Sequence, residues 1–361
     1  MDIKPSKQEL AWISEQLKTI RTMLSNDKNH IIGINLGTSW TVAMTRKMKG
    51  RFRSVVGYPK DILAKSVIKE DYLIGEKALE NGGALSLVYP FKRGVIDADD
   101  SKNFHAASEI FSYAVSGTNP GPDARICCVI GMPPNALSED KDRVLEIARE
   151  SCHHAAVVSH PFLVALGMDR LIDSIIVDIG AGTTDICGLK GALPGPQDEI
   201  TLLTAGESID AALATAIRDR YPGVSLTKKL ICEIKEKHAF VGTAPKPVLV
   251  ELRKRGIPEK YDITSEIKLA CESIFPDIID GIVSVLSTFD LEKQDTVLQN
   301  IYLAGGGSGI AGIETFIEKG LEDYGDVSVH RIKDSDFCGC EGALKISDSA
   351  FLDGMKLESL K

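Results

Sequence analysis

Short apolar runs alternate with longer stretches of mixed character along most of the chain. The runs that predict buried strands are 126–131, 155–158, 174–179, 201–206 and 301–305. The charged stretch 139–152, between the first two of these runs, predicts a helix. Buried strands that recur with helices between them are typical of an α/β fold.

The beginning of the chain follows a helical pattern of its own. Apolar residues recur there at alternating intervals of three and four positions, at Leu10, Ile13, Leu17, Ile20 and Leu24. This spacing predicts a short amphipathic helix over residues 6–25. Its apolar face would pack on the protein's own domain or dock on a partner. The polar residues 26–29 end this extension, so the globular part is expected to start near His30.

An internal repeat is the most informative feature of the pattern. The segment IIGINLGT at 31–38 matches IIVDIGAG at 175–182: an apolar strand, an Asn or Asp, an apolar residue, a glycine and a small residue. Asn35 and Asp178 are therefore equivalent, and each copy predicts a hairpin with a tight turn. The copies lie much further apart than the repeats of a solenoid. The repeat therefore predicts two similar domains that open with the same hairpin.

Both turns carry residue types that hold phosphate groups. Glycine lets successive backbone N–H groups point into one space, and hydroxyl side chains add donors. The candidate phosphate-binding residues are Gly37, Thr38, Ser39, Gly180, Ala181, Gly182, Thr183 and Thr184. Two such turns facing each other across a cleft would clamp a polyphosphate, and Asp178 would hold a hydrated Mg²⁺ beside it. Taken singly, each copy is also explained as an ordinary hairpin.

A third glycine-rich segment follows the strand predicted at 301–305. Its members are Gly305, Gly306, Gly307 and Ser308. Gly307, Gly309 and Gly312 also match the dinucleotide fingerprint, but too little chain follows for a doubly wound sheet. A loop against a flat purine face fits better. Since the chain has no P-loop motif, a nucleotide would be held by these glycine turns instead.

Composition narrows the possible functions. The formal net charge of −9 disfavours nonspecific nucleic-acid binding as the main role. No apolar stretch is long enough to span a membrane, and the first residues lack the features of a secretory signal, which predicts a cytoplasmic protein. The eight cysteines lack paired metal-ligand spacing and are interpreted as reduced core residues.

The two hairpins and the late glycine loop resemble the superfamily of actin, sugar kinases and chaperone ATPases over residues 31–348. PFKRGVIDAD at 90–99 and VIGMPP at 129–134 are similar to the MreB-related bacterial actins. A closer resemblance is to the MamK family. The segments that carry it are SVVGYPKDI at 54–62, SIIVDIGAGTTDIC at 174–187, PGPQDEITL at 194–202 and TVLQNIYLAGGGS at 296–308.

This resemblance implies an actin-like ATPase fold: two related domains, each with a ribonuclease-H-like core, around a nucleotide cleft. Domain I would comprise 30–170 plus 335–348, and domain II would comprise 171–334. Residues 1–29 would form the N-terminal extension and 349–361 a C-terminal tail.

The functional expectations also come from the resemblance. The family implies a cytoplasmic filament that binds ATP or ADP with Mg²⁺ and organises magnetosome chains. Lys235 and Glu236 match the actin segment that touches the ribose and purine. The implied partners are further copies of the chain, a paralogous actin and adaptor proteins of the magnetosome membrane, alongside which the filament would lie. Neither nucleic acid nor a transmembrane segment is expected.

Two departures from the family pattern concern catalysis, for which Asn35, His160 and Asp178 are the candidate residues. Asn35 stands where the family has an Asp near the metal, so metal affinity should weaken. His160 stands where bacterial actins have a Glu that orients or activates the attacking water. An imidazole beside phosphate tends to be protonated and then cannot act as a base. Slow hydrolysis is therefore expected, unless His160 only packs in the hinge and another group aligns the water.

Three functions are compatible with these residues. The first is a cytoskeletal ATPase that polymerises on binding ATP. The second is a nucleotide-locked subunit that copolymerises with an active paralogue, as the residues at 35 and 160 would allow. The third is a small-molecule kinase of the same superfamily, with Asp185 as the catalytic Asp near the γ-phosphate. Asp185 is equally explained as a cap of its own hairpin.

Overall fold

The computed structural model describes Thr19, residues 29–98 and residues 100–346. The chain divides into two compact units. Unit 2 consists of Asp173–Gly188 and Leu202–Lys333, and unit 1 holds the other described residues. The predicted N-terminal helix over 6–25 and the predicted tail over 349–361 lie outside the described residues.

The unit boundaries differ from the predicted domains at one internal segment. Domain II was expected to run without interruption over 171–334, but Leu189–Thr201 groups with unit 1. This segment leaves the end of a strand through an exposed Gly-Pro-rich loop, so apolar periodicity gave no sign of its packing. The first strand also begins at Asn29, one residue before the expected start of the globular part.

The first ten strands belong to the unit 1 part of the chain. They are β1 (Asn29–Leu36), β2 (Trp40–Met44), β3 (Lys49–Arg53), β4 (Val56–Pro59), β5 (Leu73–Ile74), β6 (Leu85–Val88), β7 (Phe91–Lys92), β8 (Val95–Ile96), β9 (Arg125–Met132) and β10 (His154–Ser159). The accompanying helices are α1 (Ile62–Ile68), α2 (Glu76–Glu80), α3 (Ser101–Gly117), α4 (Ser138–Arg149) and α5 (His160–Gly167).

The remaining strands are β11 (Ile172–Ile179), β12 (Thr184–Lys190), β13 (Glu199–Leu202), β14 (Val224–Ser225), β15 (Leu249–Lys254), β16 (Ile257–Asp262), β17 (Ile301–Ala304) and β18 (Val329–Arg331). The remaining α-helices are α6 (Gly206–Arg220), α7 (Lys228–His238), α8 (Thr264–Glu272), α9 (Phe275–Leu286), α10 (Leu291–Leu298), α11 (Ile313–Gly320) and α12 (Ser335–Ile346). Short 3₁₀ turns occupy Gly306–Gly309 and Glu322–Tyr324.

Two five-stranded sheets repeat the same arrangement. The first has the order β10-β9-β1-β2-β3 and the second has the order β18-β17-β11-β12-β13. In each, three consecutive strands are neighbours, and a later pair of parallel strands extends the other edge. The predicted α/β class and the predicted pair of related sheets are confirmed.

Burial explains why these strands are apolar throughout. All four residues of β17 are buried, and so are six of the eight residues of β11. Parallel strands in the middle of a sheet have both faces covered, so their sequences are continuous apolar runs. In unit 1 the core includes Ile110 and Phe111 of α3, which pack with Ile34 and Ile130 from the sheet.

Helix α12 packs against α5 and β1 through glycines. A Cβ atom at Gly342 would collide with the carbonyl of Leu163, and one at Gly167 would collide with the carbonyl of Cys338. A Cβ atom at Gly33 would lie 2.6 Å from the carbonyl oxygen of Cys340. The backbone of the segment Cys338-Gly339-Cys340 therefore lies in close contact with α5 and β1, and both of its cysteines are buried.

Two predicted elements shift in the structure. The strand expected over 201–206 is β13, which ends at Leu202, and Gly206 already begins α6. Gly206 lies next to another backbone, which an apolar count does not register. The helix expected over 139–152 ends at Arg149. Within residues 29–98 and 100–346, no helix combines the length and apolar composition needed to cross a bilayer.

Candidate functional site

The two repeated turns share one backbone hydrogen bond. The N–H of Gly37 donates to the carbonyl of Trp40 at 3.1 Å, and the N–H of Gly180 donates to the carbonyl of Thr183 at 2.9 Å. A Cβ atom would lie 2.7 Å from the acceptor oxygen at Gly37 and 3.0 Å from it at Gly180. Both turns therefore need glycine at this position. The equivalence that the sequence repeat predicts extends to turn geometry.

The start of α6 holds the second turn in place. The N–H of Gly206 donates to the carbonyl of Gly180 at 3.1 Å, and the N–H of Glu207 donates to that of Ala181 at 2.7 Å. Gly206 has no space for a side chain, because a Cβ atom there would lie 3.2 Å from the Cα of Ala181. These bonds satisfy two turn carbonyls from the helix side.

The hydroxyl groups of Thr183 and Thr184 are bonded within the protein. Thr184 is fully buried and its hydroxyl donates to the carbonyl of Thr204 at 2.8 Å. The Thr183 hydroxyl donates to the Asp185 carboxylate at 3.1 Å. Both hydroxyls thus support the turn from inside the protein, and their donation to phosphate stays a prediction.

The glycine loop after β17 packs directly on the end of β11. Gly305 has a φ of +72°, and a Cβ atom there would collide with the Asp178 carboxylate and the Ile179 carbonyl. A Cβ atom at Gly307 would collide with the Ile179 side chain, whereas Gly306 has open space around its Cα. The absence of side chains at Gly305 and Gly307 is therefore what lets the loop lie beside Asp178, which is only 6% exposed.

Lys235 and Asp210 form an ion pair beside the second turn. The Lys235 ammonium lies 2.9 Å from Asp210 Oδ2 and donates to the carbonyl of Gly206 at 2.8 Å. Burial raises the pKa of Asp210, and the Lys235 charge opposes that rise. Asp210 thus fixes Lys235 against the backbone that supports the turn.

Two buried polar atoms near this pair lack a protein partner among the described residues. They are Asp210 Oδ1 and Thr204 Oγ1. A buried oxygen without a hydrogen bond is costly, so a ligand or water that donates to it would be favoured. Glu236, the neighbour of Lys235, is exposed and its carboxylate accepts from the Cys232 thiol at 3.5 Å.

Other contacts organise the first turn. The Thr38 hydroxyl accepts from the N–H of Gly94 at 3.1 Å, which leaves its own hydrogen available to a ligand. Ser54 supports the turn twice: its N–H donates to the Ser39 carbonyl at 3.0 Å and its hydroxyl donates to the Gly37 carbonyl at 2.7 Å. Turn carbonyls are thus satisfied from inside the protein here as well.

Asn35 and His160 lie at the ends of β1 and β10, the two strands that flank β9 in the first sheet. Asn35 of β1 is in register with Gly131 of β9, and His160 begins α5 directly after β10. The imidazole of His160 packs between two glycines: a Cβ atom would lie 2.7 Å from its Cδ2 at Gly131 and 2.5 Å from its Nε2 at Gly339. The ring therefore occupies a slot that only glycines leave open.

The predicted residues of unit 2 form one cluster: Asp178, the turn at 180–184, the loop at 305–308 and Lys235 come together. In unit 1, Asn35 is in register with Gly131, which contacts His160, and the turn at 37–39 follows the same strand as Asn35. Sequence reasoning missed Ser54, Gly206 and Asp210. Ser54 and Asp210 are ordinary polar residues in the sequence, and the only signal for Gly206 is a glycine between a strand and a helix.

The residues present fit a nucleotide with its metal. Among residues 29–98 and 100–346, no three His, Cys, Asp or Glu side chains are grouped to hold a metal ion by themselves. Magnesium commonly takes one or two carboxylates and completes its shell with water and phosphate oxygens. Asp178 at a strand end beside two glycine-rich backbones is compatible with that arrangement.

Comparison with known proteins establishes the family. The profile described as MreB/Mbl protein matches residues 29–352. The chain belongs to the MreB/Mbl family. Among relatives, it is 43% identical to the actin-like protein MamK of Paramagnetospirillum magneticum, over 89% of this chain and 93% of that protein. It is 42% identical to MamK of Magnetospirillum gryphiswaldense, over 89% of this chain and 90% of that protein.

Solved structures agree with this assignment to the MreB/Mbl family. The chain is similar to a subunit of the MamK double helical filament, with a TM-score of 0.87 and 42% identity over 89% of this chain and 99% of that one. A non-polymerising MamK mutant bound to AMPPNP has a TM-score of 0.68 with the same identity and coverage. The predicted resemblance to MamK and the predicted actin-like fold are confirmed.

Proposed function

We propose that this member of the MreB/Mbl family binds ATP with Mg²⁺ and polymerises into a filament. The observation that carries the proposal is the likeness to the subunit of the MamK double helical filament, at a TM-score of 0.87 over 89% of the chain. That likeness extends over nearly the whole of the other chain, 99% of it.

The cluster in unit 2 supports nucleotide binding. The backbone N–H groups of the turn at 180–184 and of the loop at 305–308 would donate to the phosphates, and Lys235 would contact the nucleoside. Asp178 would hold Mg²⁺ through water. The Mg²⁺ would neutralise charge on the phosphate oxygens. The first turn, at 37–39, would contact phosphate through Thr38 and Ser39, as the sequence repeat predicts.

We expect the chain to bind ATP well and to hydrolyse it slowly. Binding relies on many backbone donors, whereas a misplaced or missing water-activating group typically costs about 10²–10⁴ in rate. His160 packs between Gly131 and Gly339, and Asn35 has an amide where the resemblance implies a carboxylate. We therefore propose slow ATP hydrolysis after assembly, with His160 and Asn35 as the residues that set the rate.

The filament would be a homopolymer with a cytoskeletal role. Head-to-tail contacts between unlike surfaces produce an open filament when the rotation between subunits does not close. Because the relatives at 42–43% identity are MamK proteins, we propose that the filament organises magnetosome chains through adaptor proteins on their membranes. A MamK-like protein of P. magneticum is 33% identical to this chain, and on that basis we propose a paralogue as a copolymerisation partner.

The kinase alternative is not favoured. Its candidate catalytic residue, Asp185, is 4% exposed and bonded to the Thr183 hydroxyl, so it serves the hairpin instead of an acceptor substrate. The nucleotide-locked alternative differs from the main proposal only in the absence of hydrolysis. A measurement of phosphate release from assembled filaments distinguishes the two: release supports the main proposal, and no release supports the nucleotide-locked alternative.

Sedimentation tests the proposal directly. Purified chain is centrifuged with ATP, AMPPNP, ADP or no nucleotide, each with and without Mg²⁺, and calorimetry measures nucleotide binding in parallel. We expect pelleting with Mg²⁺ and ATP or AMPPNP, and little without nucleotide. A chain that binds nucleotide and stays in the supernatant would refute polymerisation alone. A chain with no calorimetric response would refute the nucleotide site as well.

A further inference from the structure

Two cysteines far apart in the sequence have their sulfur atoms in contact. Cys128 lies in β9 and Cys152 lies between α4 and β10. Their Sγ atoms are 3.0 Å apart, and both are free thiols. A disulfide bond has a length of about 2.05 Å, so an approach of about 1 Å would join them. Cys128 is fully buried, whereas Cys152 is partly exposed.

Backbone hydrogen bonds hold the two thiols in this relation. The N–H of Cys152 donates to the Ala148 carbonyl at 2.8 Å, at the end of α4. The next residue, His153, makes two bonds to Ile126: its N–H donates to the carbonyl at 2.9 Å, and its Nδ1 accepts from the N–H at 3.1 Å. Cys128 is two residues further along the same strand. The pair is therefore fixed by the fold on both sides.

We infer that Cys128 and Cys152 form a redox-active dithiol, which a hydroperoxide converts to an intramolecular disulfide. In the first step the Cys152 thiolate attacks the O–O bond. An S–O bond forms, the O–O bond breaks, and the leaving hydroxide or alkoxide takes up the proton that the Cys152 thiol had released to solvent, to depart as water or alcohol. In the second step the Cys128 sulfur attacks the Cys152 sulfur, the S–S bond forms, and the S–O bond breaks. The hydroxide that leaves takes up the Cys128 proton as water.

The order of these steps follows from exposure. The oxidant reaches the partly exposed Cys152 first, and burial raises the pKa of Cys128, so that thiol keeps its proton until the second step. The neighbouring Cys127 is also buried, and burial raises its pKa to about 11. Its sulfur donates instead to the Arg125 carbonyl, at 3.7 Å. Cys127 is therefore a matched control within the same strand.

The disulfide would close a loop that contains the whole of α4. Such a link reduces the freedom of the unfolded chain, so the oxidised protein should melt at a temperature several degrees higher than the reduced protein. The link also ties β9 to the start of β10, and these strands lead to Gly131 and His160. Reduction should reverse both the link and the melting shift.

Alkylation and mass spectrometry test the inference on the full chain. The reduced protein is treated with hydrogen peroxide, denatured in an excess of alkylating reagent, and weighed intact. We expect the loss of two hydrogens and two fewer alkylated thiols. Trypsin should then release a linked pair of peptides, 126–141 and 150–170, because Arg125, Lys141, Arg149 and Arg170 bound them.

Variants identify the pair. Cys152→Ala, at the partly exposed position, should abolish the linked peptides and the melting shift, and Cys127→Ala should leave both intact. Full alkylation after peroxide, a disulfide to another cysteine, or Cys152 oxidised to sulfinic acid without a link would each overturn the inference. These readouts do not depend on nucleotide binding or polymerisation, so their failure leaves the proposed function untouched.

Discussion

The turns at 37–39 and 180–184 have the same backbone hydrogen bond but differ in the side chains around them. Both follow a strand of the same place in sister sheets, and both close with the same glycine hydrogen bond. The unit 2 turn lies beside Asp178, a glycine loop and the Lys235–Asp210 pair. The unit 1 turn follows a strand that carries an amide, Asn35, and His160 lies between Gly131 and Gly339 of the same unit.

From this difference we propose that unit 2 mainly binds the nucleotide and that the residues of unit 1 set the rate of its hydrolysis. Charged groups and close-packed glycine backbone are concentrated in unit 2, where they suit phosphate and metal. Unit 1 has an amide at position 35 and an imidazole at position 160, where the resemblance to bacterial actins implies carboxylates, and we propose that hydrolysis is slow for this reason. A duplicated scaffold can thus keep its geometry while the two copies acquire different tasks.

The largest expected effect comes from closing the gap beside Asp178. Gly305→Ala places a methyl group against the Asp178 carboxylate and the Ile179 carbonyl at a φ of +72°. Strain and displacement of the loop should weaken ATP binding by about 100-fold or more, measured by calorimetry. Gly306→Ala is the matched control, because nothing lies within 4 Å of its Cβ position. Equal affinities for the two variants would show that the loop does not hold the nucleotide.

Hydrolysis should respond to the residue at the start of α5. His160→Glu supplies the carboxylate that the family pattern has there, and phosphate release from pelleted filaments should rise about 10-fold or more. His160→Gln controls for shape, since an amide can orient water but cannot take its proton. If Glu is no faster than His, the water is aligned by another group and His160 serves packing between Gly131 and Gly339.

Exchanging the acid and the amide between the turns should shift magnesium dependence in opposite directions. Asp178→Asn removes the carboxylate of unit 2 and should raise the Mg²⁺ concentration for half-maximal ATP binding about 10-fold. Asn35→Asp restores a carboxylate to unit 1 and should lower that concentration several-fold. Magnesium titrations of binding measure both. Identical curves for all three proteins would remove Asp178 from the metal site.

The smallest effect is expected at the ion pair beside the second turn. Asp210→Asn keeps a hydrogen bond to Lys235 but loses the charge, so ATP binding should weaken about fivefold, which corresponds to about 1 kcal/mol. Lys228→Ala is a useful control, because Lys228 also faces this acidic region and its side chain is 74% exposed. Wild-type affinity in Asp210→Asn would show that the pair does not position Lys235.

The same variant has a defined pH signature. Burial raises the folded-state pKa of Asp210, so the folded protein holds this proton more tightly than the unfolded chain. The resulting stabilisation is complete below the ordinary carboxyl pKa of 3.8 and is lost as the pH rises through the raised value. We therefore expect urea unfolding to show that, as the pH rises through the acidic range, the free energy of unfolding of wild type falls relative to that of Asp210→Asn. Glu207, Lys228 and Lys235 also face this group.

Much of the fold could be predicted because its signals are local or repeated. Runs such as 126–131 and 301–305 are buried on both faces and therefore continuously apolar, and the repeat around Asn35 and Asp178 marked the sister sheets. The segment at 189–201 and the exact start of α6 could not be predicted, because both depend on packing between backbones. Ser54 and Asp210 were missed for the same reason: a single polar residue acquires its role from the carbonyl or ammonium brought next to it.

The amino-acid sequence alone established the α/β class, the duplicated hairpin, the glycine turns and the substitutions at positions 35 and 160. Each of these can be recognised from residue types and short-range spacing alone. Only the tertiary structure showed that the hydroxyls of Thr183 and Thr184 donate to acceptors within the protein. It also showed that His160 lies between two glycines and that Cys128 contacts Cys152. Those facts depend on which distant backbones meet, and contact over long sequence separations leaves no local pattern in a single chain.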